Sequence, residues 1–97
     1  MTITPNEKVE ALVLKRLIKH LQNRTDVQNI DMMNLTGFCR NCLSKWYKEE
    51  AVNLGENINI DDAKTLVYGM PHAEWKKKYQ VEATPEQIAE FNNSPKQ

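Results

Sequence analysis

Thr4-Pro5-Asn6-Glu7-Lys8-Val9-Glu10-Ala11-Leu12-Val13-Leu14-Lys15-Arg16-Leu17-Ile18-Lys19-His20-Leu21-Gln22-Asn23-Arg24 decides the fold class of this chain. At roughly 100° per residue, Val9, Val13, Leu14, Leu17, Ile18 and Leu21 fill an arc on the order of 180° wide, while Lys8, Lys15, Lys19 and Gln22 face the other way. That is a helix, and so broad a stripe calls for cover from more than one neighbour. Thr4-Pro5-Asn6-Glu7 reads as a capping box at its start, with Pro5 where no N–H is needed. No run elsewhere alternates apolar and polar residues as a half-buried strand would, so the expected class is all-α: one compact bundle of five or six short helices spanning residues 1–97.

Outward from this helix, Asp26 is the expected cap of a second one carrying Val27, Ile30 and Met33. Asn34-Leu35-Thr36-Gly37 reads as a break, Thr36 as the cap of a third helix to about Asn53, and Gly55 to Asn59 as a loop. Asn59 or Asp61 opens a fourth helix that Gly69 ends, and Pro71 opens a fifth through Trp75 and Tyr79. Thr84-Pro85-Glu86-Gln87 repeats the capping signature for a last short helix. From Asn92 onward, and over 93–97 in particular, a frayed tail is expected. The first and third helices are the expected central packing pair.

Ninety-seven residues with 40% hydrophobic and 27% charged content suit a single small globular domain. Thirteen basic residues balance thirteen acidic ones, so no global field favours nucleic acid or an anionic membrane. Charged residues interrupt every apolar run near the N-terminus, which leaves no secretory signal or membrane span, and the expected location is cytoplasmic. Lys76-Lys77-Lys78 reads as a solvated helix face.

Two cysteines, Cys39 and Cys42, stand three apart, and three chemistries fit that spacing. Leu35, Cys39, Cys42 and Trp46 are spaced four, three and four apart, the seam a helix buries, so packed core thiols are favoured. A dithiol redox pair is the second reading: Cys39 in the first turn of a helix beside Arg40 would have its thiolate stabilised, although no strand precedes it as in thioredoxin-like sites. Metal binding is the third. It would recruit His20 and His72 to the two cysteines as a tetrahedral zinc set, but isolated histidines on separate helices are a weak pattern for zinc, and neither metal nor cofactor is expected. Asp26, Asn29, Asp31, Asn34, Arg40 and Asn41 form a second group, readable as caps and turn bonds or as a small polar pocket organised by Asp31 and Arg40.

Asp26-Val27-Gln28-Asn29-Ile30-Asp31-Met32-Met33-Asn34-Leu35, Gly37-Phe38-Cys39-Arg40-Asn41-Cys42-Leu43, and Val67-Tyr68-Gly69-Met70-Pro71 followed by Glu74-Trp75 together resemble a family of short bacterial proteins known as a domain of unknown function, DUF1244. The resemblance implies a small all-helical protein and carries no activity or catalytic residue with it. Where that family commonly has tyrosine, this chain has His72, which weakens the zinc set further.

No serine–histidine–aspartate arrangement, phosphate-cradling glycine loop or paired metal-binding histidines occur in the chain. The expected function is therefore a non-enzymatic interaction or adaptor protein that forms a homodimer, with a dithiol or metal protein centred on Cys39 and Cys42 as the alternative.

Overall fold

The computed structural model describes residues 3–93. Six helices follow in order: α1 (Glu7–Asn23), α2 (Asn29–Thr36), α3 (Arg40–Asn53), α4 (Ile60–Tyr68), α5 (His72–Tyr79) and α6 (Pro85–Asn93). Among the described residues there is no strand, and no helix is long and apolar enough to cross a membrane. The all-α expectation and the helix count hold; compactness does not. The radius of gyration is 15.2 Å, with extents of 47 × 34 × 23 Å, against about 12.5 Å for a globule of this length.

Local chemistry sets most of the boundaries. Asn59 caps α4 by accepting from the Asp62 N–H, and Gly69 ends it in the left-handed region at φ 79°. At the start of α6, Thr84 Oγ1 accepts from the Gln87 N–H while Gln87 Oε1 accepts from the Thr84 N–H, a reciprocal capping box. Gly55, at φ 80°, closes α3 with Glu56 N–H donating to Ala51 O and Gly55 N–H donating to Val52 O, the paired bonds of a Schellman motif.

Several expected boundaries move. The cap of α1 is Asn6, whose side chain accepts from the Val9 N–H, so Thr4 lies outside the helix. The second helix starts after Gln28, whose N–H donates to Asp31 Oδ2; Asp26 instead pairs with Arg24 on the surface. Thr36 belongs to the end of α2 and turns its hydroxyl back to Met32 O at 2.7 Å, leaving Cys39 as the residue that precedes α3. Asn92 and Asn93 are helical, as the last residues of α6, while 94–97 of the expected tail lie outside the described residues.

Packing departs further from expectation. The main partner of α3 is α4, with α1 resting on α4 and α6 on α2. Ser44 and Ala63 are fully buried and Ala51 nearly so; side chains this small allow α3 and α4 to approach closely. Leu21, Met32, Cys39, Leu43 and Val67 form the core cluster, edged by Val27, Met33, Phe38 and Cys42. Only Leu21 of the α1 stripe is buried; Val9, Leu12, Val13, Leu14 and Leu17 remain exposed.

What holds α1 to α4 beyond Leu21 is Gln22, whose amide donates to Leu66 O and Val67 O. A Cβ added at Gly69 would sit 2.9 Å from the Gln22 amide carbon, whereas one at Gly55 would meet nothing within 4 Å. Both glycines need positive φ. Gly55→Ala is therefore expected to cost about 1 kcal/mol, the left-handed penalty alone, and Gly69→Ala roughly twice that because Gln22 must also swing off its carbonyls. Urea unfolding of the two variants checks this; equal costs would mean that the Gln22 contact contributes nothing.

Candidate functional site

The loop after α1, the start of α3 and the end of α4 converge on Arg40. Its residue is 1% exposed, held there because it is the first residue of α3 and points beneath the C-terminal end of α1. Nη2 donates to Leu21 O at 3.0 Å and Arg24 O at 2.8 Å, and Nη1 to Val27 O at 2.8 Å and Asn29 Oδ1 at 3.1 Å. Leu21 O is one of the last-turn carbonyls that α1 itself leaves unpaired, at the negative end of the helix dipole. The guanidinium carbon also lies 4.8 Å from the centre of the Trp75 ring, within cation–π range. Burial pulls the Arg40 pKa down from its ordinary value, but a guanidinium starts high enough to stay charged. The expected Arg40–Asp31 pair does not form. Backbone carbonyls reach the buried fork first, and Asp31 faces α6, where Oδ1 accepts from Gln87 Nε2 at 2.7 Å.

Beside Arg40, Tyr68 is buried between two amides. Its hydroxyl donates to Asn41 Oδ1 at 2.7 Å and accepts from Asn29 Nδ2 at 2.9 Å. The Tyr68 ring packs on His72 and Trp75, with centroids 4.8 and 5.2 Å away. Desolvation pushes the phenol up to about 12, so it keeps its proton throughout the neutral range. Asn29, Asn41 and Trp75 line a cavity of about 260 Å³ that Gln28, Val81 and Glu82 complete. Gln28 positions its far wall by donating to Tyr79 O and accepting from the Val81 N–H. The cavity presents amides, the Glu82 carboxylate and one aromatic face: hydrogen-bonding chemistry.

Of the six residues grouped in the sequence, Asn29, Arg40 and Asn41 therefore meet, and Asp26, Asp31 and Asn34 do not join them. Asp26 is exposed against Arg24, which holds its carboxyl below the usual range. Asn34 donates to Gln87 O, so with Asp31 it anchors α6.

Cys39 and Cys42 are free thiols with their sulfurs 3.8 Å apart. Cys39 is 6% exposed and belongs to the core cluster; burial pushes its thiol up, against the stabilised thiolate expected from a helix start. Cys42 is half-buried and touches Met33 Sδ at 3.9 Å. The expected seam is broken, because the turn at Gly37 points Leu35 outward at 83% exposure and Trp46 stays at the surface. His20 is exposed on α1, and His72 lies against Tyr68 with its pKa lowered by burial. The four-residue set of Cys39, Cys42, His20 and His72 is not assembled: among the described residues no three such side chains are grouped to hold an ion.

Sequence reasoning missed Tyr68 as a member of the polar cluster. Tyr68 follows Val67 directly before the Gly69 cap, a signal that marks the helix end but not the direction of the hydroxyl. Its titration provides a test. With its folded-state pKa raised above the unfolded value of 10, Tyr68 contributes stability that is complete below pH 10 and lost as pH climbs toward 12. Tyrosinate absorbance of the native protein should show one late-titrating phenol, absent in Tyr68→Phe. Arg40→Met should cost on the order of 3 kcal/mol in urea unfolding, because it leaves the buried Leu21 carbonyl without a donor and removes the guanidinium bonds to Arg24 O, Val27 O and Asn29 Oδ1.

No curated protein matches the chain. A family model described as a protein of unknown function, DUF1244, matches residues 27–93, which takes in the α2 segment, both cysteines, Arg40, Tyr68 and Trp75 but leaves α1 outside. Every residue around the buried arginine except Leu21 and Arg24 thus falls inside the match, and the chain belongs to the DUF1244 family.

Proposed function

We propose that this protein is a non-enzymatic interaction module that works as a homodimer, built on the uncovered face of α1. The carrying observation is the row Val9, Leu12, Val13, Leu14 and Leu17, all exposed, with Val9 at 54% and Val13 at 60%. Isolated apolar residues at a surface are ordinary, whereas a contiguous helical row beside a groove is what a partner covers.

The groove lies alongside, between α1 and α3. Ala11, Leu14, Ile18, Leu43, Trp46 and Leu54 line a cavity of about 460 Å³ whose charged lining residues are Glu50 and Glu56. An apolar trough edged by carboxylates accepts an apolar helix with basic flanks. Past the acidic first turn of Glu7 and Glu10, α1 has that composition: Val13 and Leu17 share an edge with Arg16, and Lys15 and Lys19 stand on the same helix. A second copy placed about a two-fold axis would set each α1 edge against the other copy's groove, satisfying both with one isologous contact. Trp46 and Tyr47, half-exposed at the groove, are the residue types that anchor such interfaces.

Val13→Glu places a charge at the centre of the contact without touching the monomer core. Sedimentation equilibrium should find a dimer for the unaltered chain and the 11.3 kDa monomer for Val13→Glu, with the helical circular dichroism of both unchanged. A monomer for the unaltered chain across a wide dilution range would overturn the proposal.

A further inference from the structure

The α3 entrance carries a second chemistry, independent of the α1 face. We infer that Cys39 and Cys42 form a reversible dithiol–disulfide couple that exchanges with small-molecule disulfides, with Cys42 as the entry thiol and Cys39 as the resolving one.

Three observations support it. The two sulfurs already stand 3.8 Å apart, so an approach of less than about 2 Å brings them to the bond length of about 2.05 Å. Cys39 immediately precedes α3 and Cys42 is its third residue, a spacing that places both side chains on one face of the first turn. The exposures are unequal: Cys39 is buried and Cys42 is half-buried. A reagent from solvent therefore meets Cys42 first. Cys39, kept protonated by burial and shielded from outside reagents, waits at contact distance to resolve the product. This inequality is what separates an exchange pair from two inert core thiols.

The exchange balances as follows. Cys42 gives its proton to solvent base, and its thiolate attacks one sulfur of a disulfide RSSR; the S–S bond breaks, a Cys42–SR bond forms, and RS⁻ leaves. Cys39 then loses its proton as its sulfur attacks Cys42 Sγ, forming the Cys39–Cys42 bond and expelling the second RS⁻. The two protons released by the cysteines convert the departing thiolates to two RSH. Two protein thiols are oxidised by two electrons, and one small disulfide is reduced.

The new bond would close a ring around Arg40 and Asn41, the two residues that hold the Leu21 and Arg24 carbonyls and the Tyr68 hydroxyl. Oxidation would thus stiffen the joint of the polar cluster without adding a contact to it.

The test uses the full chain equilibrated with oxidised and reduced glutathione, quenched in acid, alkylated and weighed by mass spectrometry. The expected result is complete, reversible loss of two hydrogens within a single covalent chain, with no disulfide between chains, as the oxidised fraction rises. Cys39→Ser should halt at a mixed disulfide of one glutathione on Cys42, and Cys42→Ser should stay unmodified. A chain that remains reduced in excess oxidised glutathione, or stops at a mixed disulfide with both cysteines present, overturns the couple. Modification of Cys42→Ser as fast as Cys39→Ser, in variants that keep their helical circular dichroism, overturns the assigned order. Should either variant fail to fold, the mass of the unaltered chain still decides between the couple and inert thiols.

Discussion

The guanidinium of Arg40 lies inside the protein, and among the described residues no carboxylate pairs with it. Its charge is met instead by Leu21, Arg24 and Val27 carbonyls, the Asn29 amide and the Trp75 face. These come from four parts of the chain: the end of α1, the following turn with both Arg24 and Val27, the start of α2 and the middle of α5. A buried charge is tolerated only where its hydrogen bonds are nearly complete, so these segments can take up few positions relative to one another. The end of α1 also gains, because carbonyls that the helix cannot satisfy acquire a cationic donor. Nε alone lacks a partner.

The same anchor explains why α1 is held at one end only. Leu21, Gln22 and the carbonyls near residue 24 tie its C-terminal turn to α3 and α4. Toward the N-terminus the helix runs on as a 17-residue rod with its apolar edge uncovered, which lengthens the molecule. An apolar edge on a well-formed, firmly anchored helix differs from one on a loose segment: little conformational entropy remains to be lost when a partner covers it. In the proposed dimer, the carboxylates of the neighbouring groove and the bases of α1 would orient one copy on the other.

Around the start of α3, polar and sulfur chemistry lie back to back. Arg40 and Asn41 face Tyr68, Trp75 and the amide-lined cavity, while Cys39 and Cys42 face Met33 and the core edge. One turn of helix thus serves two environments. The amides of Asn29 and Asn41 keep the Tyr68 hydroxyl fully bonded on one side, and the thioethers and aromatic rings on the other leave the thiols with few polar neighbours.

The sequence by itself determined the helices and most of their ends. Asn59, Gly69, Pro71 and the Thr84–Gln87 box act within a few residues of themselves, so their chemistry is readable without knowing what lies opposite. The period of α1 was legible for the same reason, as was family membership through the Asp26–Leu35 and Gly37–Leu43 segments. Thr36 and Asp26 misled because a capping side chain is recognised by type, while the helix start depends on where the chain turns. Tertiary structure alone decided that α3 pairs with α4, that Leu35 faces outward, that Arg40 binds carbonyls rather than Asp31, and that the two histidines stay apart from the cysteines. The left-handed turn at Gly37 redirects every side chain after it, and no periodicity in the sequence carries across such a turn. Which buried acceptors an arginine finds, and which apolar face is left uncovered, depend on that direction.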